Sequence, residues 1–296
     1  MKLLSYSEII WDVYPDTAVI GGAGLNFCAH AVKCGMEGWM ISAVGRDDLG
    51  TKALDQIDKL GMNRFFVRDN PHGTGKCIVT LDGNGVPSFR VLQDTAYDNI
   101  EISDRDTELI RAEGFDAFYF GTLQQRGKKS RYSLLKILRE CTFREIFCDI
   151  NLRRDCYDEE SVANILSYAT VLKISDEEKP LLDAFASFRE LFAGEDFAQK
   201  LFSEFPQLHT VLYTKGAEGS VIFLRNGESL RIPCVRVKAV STVGAGDSYG
   251  AAYLASVMSG KNPADAGLIA ASVSARVVSV TEAVPDYSLA DFSLPL

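Results

Sequence analysis

The sequence predicts an α/β protein with a mainly parallel central sheet and helices on both faces of that sheet. The main observation is an alternation of short runs rich in β-branched and aromatic residues with longer runs that have apolar residues at helical spacing. A second observation is composition: 296 residues, 47% of them hydrophobic, are enough for a sizeable core. Because no tandem repeat or Pro/Gly/Ser-rich linker interrupts the chain, we expect one domain over residues 1–296.

Seven runs have the composition of central strands. They are residues 3–10, 39–45, 115–121, 145–150, 170–175, 210–216 and 220–225. Between them, residues 51–60, 130–141 and 197–205 have apolar positions at helical spacing. Parallel strands joined by crossover helices account for this order.

One region, residues 73–92, departs from the alternation. Its two strand-like runs flank "DGNG", where Asp82-Gly83 and Asn84-Gly85 supply the positive φ angles of a hairpin turn. An antiparallel hairpin in an α/β protein usually lies outside the main sheet. The sequence leaves open whether this hairpin is a lid over a site or an oligomer contact.

The C-terminal part predicts two helices rich in Gly, Ala and Ser, over residues 244–258 and 264–280. Asn262 is a suitable N-cap for the second helix, with Pro263 at its first position and Asp265 in its first turn. The small residues allow the two helices to pack closely.

Charge and cysteine usage exclude several classes of protein. A net charge of −9 without a long basic tract makes nucleic acid a poor partner. Charged residues interrupt the apolar runs within about 18 residues, so no membrane span is expected and a cytoplasmic location is the default. His30, His72 and His209 lack metal-ligand spacing. Reduced thiols are expected for the seven scattered cysteines, Cys28, Cys34, Cys77, Cys141, Cys148, Cys156 and Cys234.

The stretch "STVGAGD", residues 241–247, stands where a helix is predicted to begin. Backbone amides at a helix N-terminus bind anions, and glycine lets a phosphate approach the backbone. A carboxylate at Asp247 fits such a site if it accepts a proton from an attacking hydroxyl. A tight turn capped by Asp247 explains the stretch equally well. It is neither a Walker A loop nor a dinucleotide fingerprint, and "GGAGLNF" at 21–27 also lacks the third glycine of that fingerprint.

Five segments together are similar to the ribokinase-like (PfkB) sugar kinases in order and spacing. They are "GGAGLNFCAHAVKCG", "VGRDDLG", "DINLR", "KISDEE" and "STVGAGD". The resemblance implies a ribokinase-like three-layer α/β/α sandwich with a mainly parallel sheet and a small β-strand lid from about 13–20 and 73–98. The segments "IIWDVYP", "TAYDNI", "FGTLQQR" and "DINLRRDCY" resemble the bacterial fructokinases within that family.

The resemblance also implies roles for individual residues. Asp247 would be the general base, Gly244, Ala245 and Gly246 the anion hole, and Arg153 a cation that neutralises the phosphoryl group. Asp12, which we place at the end of the first strand, would bind the sugar with Gly21, Gly22, Asn26 and Asn151. The nucleotide would contact Thr214, Gly216 and Gly219, and Glu178 would act on Mg²⁺ through water. Gly45 and Asp48 lie where the family often places a substrate contact, and for Asp48 a helix cap is an equally open alternative.

The implied reaction is transfer of the γ-phosphoryl group of ATP to a primary sugar hydroxyl, most simply fructose to fructose 6-phosphate, with Mg²⁺ present. A ribose, keto-deoxygluconate or adenosine kinase would share this framework. A weakly active sugar- or nucleotide-binding relative is a further alternative, because Ser175 and Ser241 replace the family's asparagine and aspartate. Since relatives use that aspartate in a K⁺ site, we expect weak or absent K⁺ activation. The protein would be a monomer or a homodimer formed through the lid.

Overall fold

The computed structural model describes residues 1–81 and 87–292. In these residues the strands are β1 (Lys2–Tyr6), β2 (Ile10–Val13), β3 (Ala18–Gly21), β4 (Glu37–Gly45), β5 (Asn63–Asn70), β6 (Gly75–Leu81), β7 (Pro87–Val91), β8 (Ala117–Phe120), β9 (Glu145–Asp149), β10 (Val171–Ser175), β11 (Thr210–Thr214), β12 (Ser220–Leu224) and β13 (Ser229–Ile232). The α-helices are α1 (Ala23–Lys33), α2 (Asp48–Lys59), α3 (Asp104–Glu113), α4 (Lys128–Glu140), α5 (Glu159–Tyr168), α6 (Lys179–Leu182), α7 (Arg189–Phe192), α8 (Phe197–Glu204), α9 (Ala245–Met258) and α10 (Pro263–Val278).

The larger sheet has the strand order β13-β12-β11-β10-β9-β8-β1-β4-β5. Its strands from β11 to β5 are parallel, whereas β12 and β13 continue the sheet as antiparallel edge strands. Parallel neighbours need crossover connections, and the helices between the strands supply them. The predicted α/β class with a mainly parallel sheet is confirmed.

The smaller sheet has the order β3-β2-β6-β7. Strands β6 and β7 are antiparallel, with Cys77 opposite Val91 and Thr80 opposite Ser88. The turn predicted at Asp82-Gly83 and Asn84-Gly85 lies outside the described residues. This sheet, which we call the lid sheet, is built from the two parts of the chain that the sequence assigned to a lid, with β2 beginning three residues earlier.

The prediction of one strand over residues 3–10 is wrong. Strand β1 ends at Tyr6, and the chain then leaves the larger sheet and enters the lid sheet at Ile10. Between the two strands, Ser7 and Glu8 are buried and hydrogen-bonded to each other, with Ser7 Oγ 3.2 Å from Glu8 Oε2. Because the residues before and after this crossing are buried, the sequence resembles one continuous buried strand, although the chain passes from one sheet to the other.

The lid sheet is tied to the larger sheet at one point. Asp47, the N-cap of α2, accepts hydrogen bonds from Gly50 N at 2.8 Å and from Thr74 Oγ1 and N at 2.6 and 3.0 Å. Thr74 also accepts a hydrogen bond from Gly45 N at 2.9 Å. These contacts join the end of β4 and the start of α2 to the residue that precedes β6.

Helices α1 and α9 pack together on one face of the larger sheet. Phe27 of α1 lies against Tyr119 of β8 and Phe147 of β9, with ring centroids 4.3 and 4.7 Å away. Gly250 of α9 faces the same rings, since a Cβ there would lie 2.8 Å from Phe147 and 3.1 Å from Phe27. Helix α10 packs on α9, and Asn262 caps it by accepting from Asp265 N at 2.9 Å, as predicted.

Six of the seven cysteines are buried, and Cys234 is exposed; all are free thiols. Among residues 1–81 and 87–292, no helix combines the length and the apolar character needed to cross a membrane.

Candidate active site

The carboxyl ends of β9, β10 and β11 lie side by side at one edge of the larger sheet, as parallel strands require. Asp149 ends β9, and Ser175 of β10 is paired with Thr214 of β11. The first turn of α9 reaches this edge, because a Cβ on Gly246 would lie 3.1 Å from Nζ of Lys173 in β10. The strand ends and the helix therefore bound a common site.

Asn26 and Asp247 join the first turns of α1 and α9. Nδ2 of Asn26 donates to Oδ2 of Asp247 at 2.9 Å. Burial raises the pKa of Asp247 to about 6, against the opposing effects of the Asn26 hydrogen bond and the charges of Lys173 and Arg153. A carboxylate with a pKa near neutrality can accept a proton from a hydroxyl and release it again.

The first turn of α9 presents unpaired backbone amides. Within the described residues, the N–H groups of Gly246 and Asp247 have no hydrogen-bond acceptor. The N-cap, Gly244, has φ of 80° and lies against Ala283, whose carbonyl oxygen would be 2.6 Å from a Cβ at this position. The arrangement can hold an anion beside Asp247.

A buried carboxylate near this site has no role in the motifs read from the sequence. Glu8 accepts a hydrogen bond from Ala23 N, at the start of α1, at 2.6 Å. Burial raises its pKa despite that hydrogen bond and the one from Ser7. The sequence feature that could have pointed to Glu8 is its position as a charged residue within an apolar run, between a strand and the Gly21-Gly22 turn.

Asp12 is not at the end of the first strand, as the sequence suggested, but in β2 of the lid sheet. It lies between Val19 of β3 and Cys77 of β6 in the strand register. Burial raises the pKa of Asp12, against a hydrogen bond from the Cys77 thiol and the charge of Arg153. The lid sheet therefore contributes a half-buried carboxylate to the space near Arg153.

Gly21 and Gly22 connect β3 to α1. A Cβ on Gly21 would meet no atom within 4 Å, so this residue borders open space. Gly22 is the N-cap of α1 and packs against the carbonyl group of Glu8.

Asn151 and Arg153 follow β9. Asn151 adopts a left-handed backbone conformation with φ of 38°, which is uncommon outside glycine and turns the chain sharply after the strand. Arg153 is exposed, and among the described residues it has no ion-pair partner within 4 Å. Its charge lowers the pKa of Glu8, Asp12 and Asp247, although burial outweighs it in each case.

Glu178 joins the turns that follow β9 and β10. Its Oε1 accepts from Leu152 N at 3.0 Å and its Oε2 from Ser175 N at 2.8 Å. Ser175 Oγ in turn accepts from Glu178 N at 3.2 Å. Each carboxylate oxygen keeps a lone pair for water, so Glu178 suits a metal held through water. Within the described residues, no group of three or more His, Cys, Asp or Glu side chains is placed to hold a metal ion directly.

Lys173 and Asp149 form a buried ion pair under this site, which sequence reasoning also missed. Nζ of Lys173 lies 2.9 Å from both carboxylate oxygens of Asp149. Burial alone would lower the pKa of Lys173, but the carboxylates of Asp149, Glu178 and Asp247 outweigh it and raise that pKa. Lys173 therefore carries a positive charge at neutral pH.

The predicted nucleotide segment is the turn between β11 and β12. Thr214 ends β11 and accepts a hydrogen bond at its carbonyl oxygen from Asp176 N at 2.9 Å. Gly216 begins a 3-10 turn over Gly216–Glu218, and Gly219 O accepts from Lys215 N at 2.8 Å. The turn lies beside the residues that follow β10.

Ser241 is held by backbone contacts rather than by charge. Its amide donates to Val278 O at 3.3 Å, and its hydroxyl accepts from Val243 N at 3.2 Å.

In the segment "VGRDDLG", residues 44–50, the N-cap of helix α2 is Asp47 rather than Asp48. Asp48 is the first residue of α2, and its side chain is exposed. Gly45 packs against Thr74, the residue before β6, and its predicted contact with substrate stays a prediction.

His30 of α1 links that helix to the C-terminal segment. Its Nε2 lies 2.9 Å from Ala283 O, and because a carbonyl oxygen only accepts, Nε2 donates. Nδ1 then accepts from the Tyr287 hydroxyl at 2.7 Å. Burial lowers the pKa of His30 to about 4, so the ring is neutral at physiological pH. Ala283 is the residue that packs on Gly244.

The chain matches the model of the pfkB family carbohydrate kinases over residues 14–288. Fructokinase-2 of Oryza sativa subsp. japonica is 24% identical over 275 residues, covering 86% of this chain and 79% of the relative. Adenosine kinase of Saccharomyces cerevisiae is 25% identical over 279 residues, covering 88% of this chain and 78% of the relative. A fructokinase from Vibrio cholerae O395, solved with fructose, ADP and calcium ion, superposes with a TM-score of 0.79 at 20% identity and covers 98% of each chain. The structural likeness shows the fold, and the family match spans nearly the whole sequence: the chain belongs to the pfkB family of carbohydrate kinases.

Proposed function

We propose that this protein transfers the γ-phosphoryl group of ATP to a primary hydroxyl of a small sugar, with fructose as the preferred acceptor and fructose 6-phosphate as the product. The observation that carries the proposal is the position of Asp247. It combines a raised pKa, a hydrogen bond from Asn26 and a place in the helix turn whose amides are unpaired. A base next to an anion site is what transfer of a phosphoryl group to a hydroxyl requires.

In the proposed mechanism, Asp247 takes the proton of the acceptor hydroxyl as its oxygen attacks the γ-phosphorus. The amides of Gly244 and Gly246 stabilise negative charge on the transferred group, and the amide of Ala245 joins them by releasing Thr242 O, to which it donates at 3.3 Å. Arg153, which has no ion-pair partner among the described residues, supplies a further positive charge. Asn26 fixes the Asp247 carboxylate so that one oxygen faces the acceptor.

The sugar would lie between the lid sheet and the N-terminus of α1. Asp12 accepts hydrogen bonds from sugar hydroxyls, and Asn26 and Asn151 both donate and accept. Gly21 borders open space, which leaves room for a polyol. We propose that the segments 13–20 and 73–98 close over the bound sugar and exclude water, which limits hydrolysis of ATP.

On the nucleotide side, Thr214, Gly216 and Gly219 would line the phosphates and ribose of ATP. The relative solved with ADP supports a nucleotide in this fold. When bound, Mg²⁺ would neutralise the phosphate oxygens, held by Glu178 through water. A cytoplasmic location, expected from the sequence, fits a reaction that consumes ATP.

The choice of fructose rests on the fructokinases among the relatives and on the segments similar to bacterial fructokinases. Adenosine kinase, at 25% identity, favours a second candidate, a nucleoside acceptor. Both would use the same base and anion hole, so the acceptor must be determined by assay.

A coupled assay of ADP release tests the proposal across fructose, ribose, keto-deoxygluconate, fructose phosphates and adenosine. We expect fructose to have the highest kcat/KM and to give a product phosphorylated at O6. A higher kcat/KM for adenosine would replace fructose by the nucleoside. Release of ADP that does not depend on any acceptor would contradict phosphoryl transfer to a sugar.

A further inference from the structure

Lys173 is one of two buried lysines among the described residues, and it lies at the proposed site of phosphoryl transfer. Its exposed fraction is 6%, and that of Lys136 is 8%. Lys136 is paired with Asp104 and Glu140 near α3 and α4. Lys173, in contrast, extends from the central strand β10 toward the first turn of α9.

The ammonium group of Lys173 has a hydrogen-bond donor to spare. A lysine ammonium carries three N–H groups. Two are accounted for by Oδ1 and Oδ2 of Asp149, each at 2.9 Å. Within residues 1–81 and 87–292, no third acceptor lies within hydrogen-bond distance of Nζ. A buried N–H without an acceptor is costly, so this donor suits an oxygen that arrives with a ligand.

The position of Nζ relative to α9 indicates which ligand oxygen it would meet. A Cβ on Gly246 would lie 3.1 Å from both Nζ and Cε, so the ammonium packs directly against the anion-binding turn. The unpaired amides of Gly246 and Asp247 belong to that same turn. The spare donor of Lys173 and these amides therefore border one small volume next to Asp247.

The surrounding charges keep the ammonium protonated and fixed. The carboxylates of Asp149, Glu178 and Asp247 all act on it. Asp149 holds it through two hydrogen bonds on a strand end rather than on a loop, which limits its movement. Arg153, by comparison, is exposed and has no ion-pair partner among the described residues, so no partner within the fold fixes its guanidinium group.

We propose that Lys173 is a further catalytic residue, whose third N–H donates to a non-bridging oxygen of the γ-phosphoryl group during transfer. In this step the bond from the acceptor oxygen to the γ-phosphorus forms while the bond from that phosphorus to the β–γ bridging oxygen breaks. The bridging oxygen keeps the electron pair as ADP leaves, and the hydroxyl proton goes to Asp247. Lys173 retains its proton throughout. This inference rests on the proposed function.

The alternative is that Lys173 and Asp149 form an ion pair that only stabilises the fold. Two variants separate the possibilities. Lys173→Met removes the ammonium but leaves Asp149 buried without a partner, so it can fail for structural reasons. The double variant Lys173→Met/Asp149→Leu removes both charges, and replacing a buried ion pair by apolar residues of similar volume is often tolerated by the fold. Lys136→Met is the matched control for loss of a buried lysine.

The experiment measures kcat, the KM values for ATP and sugar, ADP affinity by calorimetry, and thermal unfolding. The wild-type protein is assayed first on the acceptor panel. If it phosphorylates no acceptor, the proposed function fails before any variant is tested. If it does, we expect the double variant to fold and to bind ADP as the wild type does, with kcat lower by roughly 10²–10³-fold, as for loss of one donor to a developing oxyanion.

The relative kcat values of the variants decide between a catalytic and a purely structural role for Lys173. A catalytic ammonium predicts that the double variant is as inactive as Lys173→Met, and that Lys136→Met keeps near-normal kcat. A structural pair predicts that removing both charges restores the kcat lost in the single variant. Recovery of wild-type kcat in a folded double variant would overturn the proposal and leave the kinase assignment intact.

Discussion

The side-chain amide of Asn26 donates to Oδ2 of Asp247, 221 residues later in the chain, at 2.9 Å and so joins the first turns of helices α1 and α9. The hydrogen bond orients the carboxylate at the helix turn where backbone amides are unpaired. The candidate base is therefore positioned by Asn26, a residue whose motif predicts a contact with the sugar.

Replacing Asp247 by Asn should lower kcat by ~10²-fold or more, because it removes the general base while keeping the shape of the side chain. Sugar and ATP binding should persist, as measured by calorimetry. Asp58→Asn is a suitable control, since Asp58 is a surface carboxylate paired with Arg64. Turnover of Asp247→Asn near the wild-type value would remove the residue from the role of base.

The pH dependence of kcat/KM for the sugar should follow the ionisation of Asp247. Because burial raises the pKa of this carboxyl from 3.8 to about 6, the base becomes protonated and inactive as the pH falls below 6. We expect kcat/KM to fall about tenfold per pH unit there. Asn26→Leu removes a hydrogen bond that favours the carboxylate, so it should move the acid limb to higher pH. A wild-type acid limb near pH 4 would contradict the assignment.

Changing Asp12 to Ala should chiefly weaken sugar binding. A hydrogen bond to a charged acceptor contributes about 1.5–3 kcal/mol, which corresponds to a roughly 10- to 150-fold higher KM for the sugar. The KM for ATP should change little. Asp55→Ala, which changes an exposed carboxylate on α2 outside the lid sheet, serves as the matched control. An unchanged sugar KM in Asp12→Ala would place this carboxylate outside the site.

His30 should lower the stability of the fold as the pH drops from 6.5 to 4, whereas carboxyls with a raised pKa, such as Asp247, act in the opposite sense over this range. Burial lowers the pKa of His30 from 6.5 to about 4, so the unfolded chain binds more protons in this range. The contribution to the free energy of unfolding is about 3 kcal/mol, present above pH 6.5 and lost by pH 4.

Urea unfolding at several pH values tests this point with two variants. His30→Gln should lose that part of the pH dependence, since glutamine does not titrate. Tyr287→Phe keeps the buried imidazole and should retain most of it. Equal pH dependence in the wild type and His30→Gln would show that another group is responsible.

Monovalent cations should have little effect on turnover. Ser241 carries no charge, and its hydroxyl accepts a hydrogen bond from Val243 N, whereas the family resemblance implies an aspartate at a K⁺ site there. Replacing K⁺ by tetramethylammonium at constant ionic strength should leave kcat within about twofold, because monovalent salt then acts mainly through screening. A large loss of kcat would show that a cation binds despite the serine.

The central part of the fold could be predicted because buried strands and amphipathic helices have distinct periodicities. The edge strands could not. In β5, residues 63–65 and 68–69 are exposed, so its apolar pattern is broken. Strand β13 is short, and of its two inner residues Leu230 is apolar and Arg231 is charged. Neither strand has the apolar run from which the central strands were predicted.

At the site, motif similarity identified residues that lie in turns and helix starts, such as Asn26 and Asp247. It missed Glu8 and Lys173, because charged residues are rarely buried and a charge within an apolar run is only a weak local sign that these two are. Their burial follows from partners distant in sequence, Ala23 and Asp149. Only the folded chain brings those partners together.

Gly244 is required by its backbone conformation, with φ of 80°, and by its contact with the carbonyl group of Ala283, both of which are internal to the fold. A Cβ on Gly246, in contrast, would meet only the flexible end of Lys173, at 3.1 Å. A descendant that had lost catalysis would therefore still need Gly244 to fold. Retention of Gly244 is poor evidence for an active enzyme, and a pseudoenzyme in this lineage would be recognised instead by substitution of Asp247.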